Sequence, residues 1–273
     1  MKMLVIGDPH GMVKYREVKT LSNKYLSKGD WIIFTGDYYE SPWEEYRMYS
    51  KRILFPEKRY FRELYRKYKI FLVQGNEDVR SVIFKLDKKR SRLKNIITVE
   101  RDYGMYKDIG IINGSNARPA NCPFGMTYTQ DFKTVNLNNP TIILSHTPPL
   151  TKELFRSRYV GTPPDLALYR VIKKGNIRYI SPARSKRNAK QKNVGNKQLR
   201  KLVKKYKPKL VICGHIHEAS GIGFIKKTIV VNPGSRVAYV NRKKVLPYAL
   251  IETKGMSKFK ITIKNWNGTI EYD

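Results

Sequence analysis

Residues 210–217 read LVICGHIH, an apolar run that passes directly into a glycine and two histidines. A continuous run of branched apolar residues is typical of a strand that is buried on both faces of a sheet. Side chains two positions apart lie on the same face of an extended segment, so His215 and His217 are expected to point the same way. The stretch therefore predicts a buried strand with two imidazoles just beyond its carboxyl end.

Five other apolar runs, at residues 3–6, 31–35, 70–73, 141–144 and 228–231, also end in polar clusters. The clusters are GDPHG (7–11), GD (36–37), GNED (75–78), SHTPP (145–149) and NPGS (232–235). In α/β sheets, functional sites gather outside the carboxyl ends of the strands. We therefore expect these clusters to converge in space.

The rest of the chain supports one domain that alternates strands and helices. Apolar residues at helical spacing predict helices at 18–25, 60–68 and 199–206, the last ended by Pro208. A further buried strand is predicted at 109–112, and a strand meander at 246–272. The expected organisation is a single domain over 1–273, with an insertion at about 151–193 that is rich in Pro, Gly and basic residues.

All four histidines of the chain fall in the polar clusters: His10, His146, His215 and His217. They are joined there by Asp8, Asp37 and Asn76, so carboxylate, imidazole and amide donors occur together. This mixture suits Mn²⁺, Fe, Zn²⁺ or Ni²⁺ and is unlike the thiolate set of a structural zinc site. The pattern predicts a metal site that binds one ion or two adjacent ions.

The ordered series GDPHG, GD, GNED, SHTPP, CGHIH and NPGS resembles the calcineurin-like metallophosphoesterase family, and in particular its small prokaryotic phosphodiesterase-type members. The resemblance spans roughly residues 1–235 and is densest over 194–235. It implies an α/β fold, a four-layer α-β-β-α sandwich, with a dinuclear site at one edge.

The resemblance also implies a ligand set. Asp8, His10 and His217 would hold the first metal, whereas Asn76, His146 and His215 would hold the second, with Asp37 bridging the two. The cofactors are then two divalent ions, with Mn²⁺ expected first and Fe, Zn²⁺ or Ni²⁺ as alternatives. The implied reaction is hydrolysis of a phosphate ester, most readily a phosphodiester, by attack of a metal-bridging hydroxide. Two such ions, two carboxylates and a hydroxide leave a formal charge of about +1, which attracts phosphate.

One position departs from the family pattern. Many members carry a His after the Asn of the third motif, where it protonates the leaving group, but this chain has Glu77 after Asn76. Nearby cations favour the ionised carboxylate of Glu77, so we expect slow turnover of esters with poor leaving groups. Glu77 serves either substrate contact or the shape of its loop. Arg118 and Arg236 are the candidate contacts to substrate phosphate, with a plain surface role as the alternative.

The charge of the chain is strongly one-sided. The 273 residues carry 55 Lys and Arg against 22 Asp and Glu, a formal net charge of +33. Residues 151–210 contain 19 basic and 2 acidic residues, so a net +17 falls in less than a quarter of the chain. Such a surface attracts polyanions and favours a nucleotide or nucleic-acid substrate. Aromatic residues are sparse there, so contact with phosphates is the more economical form of the hypothesis.

Two alternatives from other classes remain open: a non-catalytic scaffold, like the retromer subunit that resembles this family, and a nucleic-acid-binding protein whose hydrolase site is incidental. The scaffold members tend to lose ligands, whereas every ligand position is filled here.

The composition of the chain limits the classes of protein to which it can belong. At 41% hydrophobic residues the chain can bury a core, which excludes a wholly disordered basic tail. No apolar run approaches the roughly 20 residues of a membrane span, so no membrane partner is expected. The start of the chain lacks the pattern of a signal peptide. Cys122 and Cys213 are too few for a disulfide framework, which indicates a reducing cytoplasm. The oligomeric state is left open by the sequence.

Overall fold

The computed structural model describes residues 1–9, 13, 15–38, 58–75, 78, 95–98, 103–114, 132, 135–151, 156–157, 169–174, 177–182, 192–193, 195–216, 220–234, 238–240, 243–265 and 268–273. Along these residues the strands are β1 Lys2–Ile6, β2 Trp31–Phe34, β3 Lys69–Leu72, β4 Ile96–Ile97, β5 Tyr103–Tyr106, β6 Ile109–Ile112, β7 Ile142–Ser145, β8 Arg156–Ser157, β9 Tyr169–Lys174, β10 Ile177–Pro182, β11 Lys192–Asn193, β12 Leu210–Ile212, β13 Gly221–Ile225, β14 Thr228–Asn232, β15 Ala238–Val240, β16 Lys243–Val245, β17 Tyr248–Lys254, β18 Lys258–Asn265 and β19 Gly268–Tyr272. The helices are α1 Tyr15–Tyr25, α2 Lys58–Lys67 and α3 Lys197–Tyr206.

Two mixed sheets form the body of the protein. The seven-stranded sheet has the order β19-β18-β17-β1-β2-β3-β4, and the six-stranded sheet has the order β13-β14-β12-β7-β6-β5. A four-stranded sheet of order β16-β15-β10-β9 and the pair β11-β8 lie apart from them in the hydrogen-bonding pattern.

Three apolar layers separate the helices and the two large sheets. Val5 of one sheet and Leu144 of the other are buried in the layer between the sheets. Val18 of α1 and Leu64 of α2 are buried against the outer face of the seven-stranded sheet. Leu199 of α3 is buried against the outer face of the six-stranded sheet. Each such side chain stabilises the fold by about 1.5–3 kcal/mol when it is fully buried, and the arrangement confirms the four-layer α-β-β-α sandwich.

The parallel strands set the position of the polar clusters. In the seven-stranded sheet β1, β2, β3 and β4 run parallel. In the six-stranded sheet β6, β7, β12 and β14 run parallel. Because the carboxyl ends of parallel strands meet at one edge, each sheet presents its following loops along a single edge.

The predicted strands and helices agree with the structure to within a few residues at their ends. The runs are buried on both faces as expected: β2 and β7, for example, have four buried residues each. Strands β8 to β11, within 151–193, were not predicted, and neither were β4, β5, β13, β15 and β16. Each of them is very short or is interrupted by basic residues or glycines, as in YRVIKK of β9 and GIGFI of β13, and so lacks the continuous apolar signal.

No helix among the described residues is long and apolar enough to cross a membrane.

Candidate metal centre

Four of the predicted ligands come together where the edges of the two large sheets meet. Asp8 follows β1 and Asp37 follows β2, whereas His146 follows β7 and His215 follows β12. The Nε2 atom of His146 lies 3.3 Å from Oδ2 of Asp37 and 3.1 Å from Nδ1 of His215. One ligand atom from each of these three residues falls within 4.8 Å of the others. The seven-stranded sheet thus supplies carboxylates and the six-stranded sheet supplies imidazoles.

The His146 imidazole is fully buried and fixed in orientation. Its Nδ1 donates to the backbone carbonyl of Thr35 at 2.8 Å. A carbonyl oxygen can only accept, so this hydrogen bond places a proton on Nδ1 and leaves the lone pair of Nε2 directed at Asp37 and His215 in the neutral ring. A hydrogen bond of this kind from the far ring nitrogen is the usual support of a metal-bound histidine.

The carboxylates around His146 stabilise positive charge at its imidazole even without a metal ion. Burial is the largest influence on the His146 imidazole and lowers its pKa, but the carboxylates of Asp37 and Asp8 together outweigh it and raise the pKa of His146 to about 10. The negative charge of two buried carboxylates therefore favours a cation at this position, and a proton on His146 neutralises part of that charge. A divalent ion would neutralise the carboxylates more fully, since a nitrogen atom from each of two imidazoles and a carboxylate oxygen already converge.

Asp8 is held by both sheets. Its carboxylate is 1% exposed and accepts a hydrogen bond from the hydroxyl of Thr35 at 2.8 Å and another from the backbone N–H of His215. Thr35 therefore touches Asp8 through its hydroxyl and His146 through its carbonyl. Gly214 lies so close to Asp8 and Thr35 that a Cβ there would overlap both, which explains the glycine before His215.

Two of the four converging residues have a left-handed backbone. Asp37 has φ 49° and His215 has φ 65°, a region that non-glycine residues enter in only a few per cent of cases, although Asn, Asp and His enter it more often than the others. Such a conformation costs about 1–3 kcal/mol and persists only when surrounding contacts impose it. Outliers of this kind cluster at functional sites, where they aim a side chain that regular backbone would direct elsewhere.

Asp78 imposes the conformation of the Asp37 loop. Its carboxylate is 8% exposed and accepts from the backbone N–H groups of Asp37 at 2.9 Å, Tyr38 at 2.7 Å and Gly75 at 2.7 Å. It thereby ties the end of β2 to the end of β3. The sequence interpretation quoted Asp78 within its motif but assigned it no role. The available signal was its position three residues after Gly75, where an Asp side chain commonly accepts from a turn backbone.

Several predicted residues lie outside the described part of the chain. These are His10, Asn76, Glu77, Arg118, Arg236 and His217, so their assigned roles stay predictions. Cys213 is fully buried beside Val231, whose carbonyl accepts a hydrogen bond from its thiol at 3.4 Å. Burial raises the pKa of this thiol, which makes it an unreactive thiol rather than a ligand.

The chain is similar to several known proteins, and three of them are described in turn. Uncharacterized protein MJ1162 of Methanocaldococcus jannaschii is 27% identical over 256 residues, which cover 88% of this chain and 91% of that protein. One solved crystal structure superposes with a TM-score of 0.55 at 17% identity, over 97% of this chain and 98% of its own. Phosphopantetheinyl hydrolase of Mycobacterium tuberculosis gives a TM-score of 0.45 at 14% identity, over 90% of this chain and 96% of its own.

The model of one protein family matches most of the chain. It describes calcineurin-like phosphoesterases and matches residues 1–219, a range that contains all four of the converging side chains. The superposition at a TM-score of 0.55 supports the same fold. The chain therefore belongs to the calcineurin-like phosphoesterase family.

Proposed function

We propose that the protein is a metal-dependent phosphodiesterase that holds two divalent cations, Mn²⁺ first, where the edges of its two sheets meet. The observation that carries the proposal is the convergence of Asp37 Oδ2, His146 Nε2 and His215 Nδ1 beside the buried Asp8 carboxylate. Family membership supports the coarser statement, a phosphoesterase that uses divalent metal. The second ion rests on the predicted ligands His10, Asn76 and His217.

Divalent ions held by Asp8, Asp37, His146 and His215 would polarise a phosphoryl oxygen and lower the pKa of a bound water. The residues of the chain contribute orientation. Thr35 keeps the Nε2 lone pair of His146 directed inward, and Asp78 holds Asp37 in its left-handed conformation. Because these supports are buried backbone contacts, the donors are fixed before the substrate arrives, which lowers the cost of reorganisation.

The favoured substrate is a phosphodiester that is part of a polyanion, because a chain of net charge +33 concentrates polyanions near the site. Glu77 stands where relatives with a histidine protonate the leaving group, so substrates with good leaving groups should be hydrolysed fastest. We also propose that the protein works in the cytoplasm, because it lacks a disulfide framework in its sequence.

The test is a metal screen on metal-stripped protein. Mn²⁺, Fe²⁺, Zn²⁺ and Ni²⁺ are added separately, and hydrolysis of a bis-aryl phosphate diester is compared with that of the aryl monoester. We expect Mn²⁺ to restore activity, the diester to be the better substrate, and Asp37→Ala and His146→Ala to abolish turnover.

The matched control is Asp30→Ala, which removes another buried carboxylate that accepts two backbone N–H groups, those of Lys2 and Ser27. Asp30 precedes β2, at the opposite edge of the sheet from Asp37, so its loss should leave turnover intact in the folded fraction. Activity that persists in Asp37→Ala, or that no divalent metal restores, would refute the proposed function.

A further inference from the structure

Helix α3 and the turns beside it carry a cluster of cations, which we call the α3 basic face. Its members are Lys197, Arg200, Lys201, Lys204 and Lys205 on α3, Lys207 and Lys209 after it, and Lys226 and Lys227 in the turn between β13 and β14. All except the half-buried Arg200 are exposed. The described segments 195–216 and 220–234 contain no acidic residue, and Glu218 lies in the sequence between them. Within the described segments the charge of the face is therefore entirely positive.

The helix carries these charges at a local energetic cost. Lys197, Lys201 and Lys205 follow one another at four-residue spacing, where like charges destabilise a helix by about 0.2–0.5 kcal/mol per pair. The first turn of α3 has no acidic residue to complement the helix dipole. Among the described residues, none of the cations of this face forms an ion pair with an acid. An ordinary solvated helix would relieve this repulsion with interleaved glutamates.

The α3 basic face begins beside the metal centre. The backbone N–H of Asn196, the residue that caps α3, donates to the carbonyl of Pro148 at 2.8 Å, and Pro148 is two residues beyond His146. The guanidinium of Arg200 donates to the carbonyl of Leu150 at 2.6 Å. The first turn of α3 is therefore attached to the loop that carries one of the converging histidines.

The α3 basic face ends at the opposite edge of the same sheet. The N–H of Lys209 donates to the carbonyl of Thr141, just before β7, and the N–H of Ile229 donates to the carbonyl of Lys209. This places Lys209 and the turn of Lys226 and Lys227 at the amino ends of β7 and β14. Ten helical residues span about 15 Å, so the cations form a row that leads away from the metal centre.

Because the row of cations extends along the whole of α3, it fits an extended polyanion better than a small anion. A nucleic-acid duplex carries one charge per about 1.7 Å of its axis, so it can meet cations along the whole helix. A single nucleotide at the metal centre reaches only the first turn. On α3 no aromatic side chain is exposed, since Tyr206 is half-buried with its hydroxyl accepting from the N–H of Leu137. The exposed ring of Phe224 on β13 packs beside Tyr272 and is not part of this face. The contacts would therefore be to phosphates and not to stacked bases.

A lipid surface fits less well. A helix that binds in the membrane interface needs an apolar face free to enter the lipid. The apolar residues of α3, Leu199 and Val203, are instead buried against the six-stranded sheet.

We propose that the α3 basic face binds the phosphate backbone of nucleic acid, duplex in preference to single strand, and lays it along α3 towards the metal centre. The binding stands on the charges alone, whereas its link to hydrolysis rests on the proposed function. Its signature is a steep dependence on salt and little dependence on sequence.

The experiment measures fluorescence anisotropy of a labelled duplex of about 20 base pairs between about 50 and 200 mM salt, with EDTA present so that nothing is hydrolysed. The test variant is K201Q/K204Q/K205Q. The matched control K28Q/K254Q/K258Q removes the same charge from exposed lysines elsewhere on the protein. Melting temperatures confirm that both variants are folded.

We expect the test variant to lose about tenfold or more in affinity and about 2–3 in the slope of log K against log salt, since each phosphate contact contributes about 0.9. The control should stay within about twofold of the wild type, because the charge it loses lies away from the contact surface. Equal losses in the two variants would overturn the assignment of the surface. So would a test variant that keeps duplex affinity while it loses binding to vesicles of phosphatidylcholine and phosphatidylglycerol.

Different results would refute the proposed function and the proposed binding surface. Wild-type protein that binds the duplex through this face but hydrolyses no diester with any metal would refute the proposed function and leave the binding surface standing. Protein that hydrolyses the small diester but does not bind the duplex would refute the surface alone.

Discussion

The two large sheets meet at the metal centre but bring different chemistry to it. The seven-stranded sheet supplies the carboxylates of Asp8 and Asp37, which are buried, and the six-stranded sheet supplies the imidazoles of His146 and His215. Among the described residues of the site, negative charge therefore comes from one sheet and the neutral donors come from the other. A cation that binds here links the two sheets, so the site is complete only when they are packed face to face.

The difference between the halves predicts unequal effects of losing a ligand. Asp37→Asn removes a negative charge and leaves a weaker, neutral amide donor, whereas His215→Gln exchanges one neutral donor for another. We expect Asp37→Asn to lower turnover of the diester by at least about 10³-fold, as several kcal/mol of charge stabilisation disappear, and His215→Gln to lower it less. Activity titrated with Mn²⁺ separates metal affinity from turnover. A larger loss in His215→Gln would show that charge is not what distinguishes the halves.

The carboxylate half is also supported more heavily through its backbone. Asp78→Ala leaves three buried N–H groups without their acceptor and should lower the free energy of unfolding by about 3 kcal/mol or more. Because the loop of Asp37 is then released, metal affinity should fall by about 10–100-fold as well. Denaturant unfolding and Mn²⁺ titration of activity measure the two effects.

Asp30→Ala is the control for this support. Asp30 accepts from two backbone N–H groups at the other edge of the sheet, so its loss should lower stability by about 2 kcal/mol without changing metal affinity. If both variants bind Mn²⁺ as the wild type does, Asp78 is only a structural residue.

The fold and the convergence of the ligands could be predicted from the sequence, whereas the backbone contacts that support Asp37 could not. The strands were predictable because their apolar runs are buried on both faces, and the convergence of Asp8, Asp37, His146 and His215 followed from the parallel order of the strands. The left-handed backbone of Asp37 was not predictable, since it depends on a carboxylate 41 residues later in the chain. The small sheet of β9, β10, β15 and β16 was missed because basic residues interrupt its apolar pattern.

The imidazole half also depends on space that a glycine leaves open. A Cβ at Gly114 would lie 2.6 Å from Cδ2 of His146, a distance that forces the ring to move. Gly114→Ala should therefore weaken metal binding by about tenfold, the lower end for a supporting residue. Gly110→Ala is the matched control, because its Cβ would crowd the flexible end of Leu137 at 2.8 Å instead of the site. Equal metal affinity in the two variants would contradict this role of Gly114.

The smallest expected effect is the release of one proton from the site when a metal ion binds. Without metal, the pKa of His146 is raised to about 10 by Asp37 and Asp8 against the effect of burial, so the ring is protonated at about pH 8. A metal ion needs the lone pair of Nε2, so its binding at that pH should release about one proton from this position. Calorimetry in two buffers of different ionisation enthalpy counts the protons, and His146→Gln should release one fewer.

The same proton fixes the sign of the pH dependence of stability. The pKa of His146 is higher in the folded protein than its unfolded value of about 6.5, so its contribution to the stability of the metal-free protein is fully present below about pH 6.5 and is lost as the pH rises towards about 10. Metal-free wild type should therefore lose more stability than His146→Gln across this range. With saturating Mn²⁺ the difference should vanish, since the ion takes the place of the proton between the carboxylates and the imidazoles. A metal-free wild type whose melting temperature does not fall with pH relative to His146→Gln would show that the carboxylates do not hold a proton at His146.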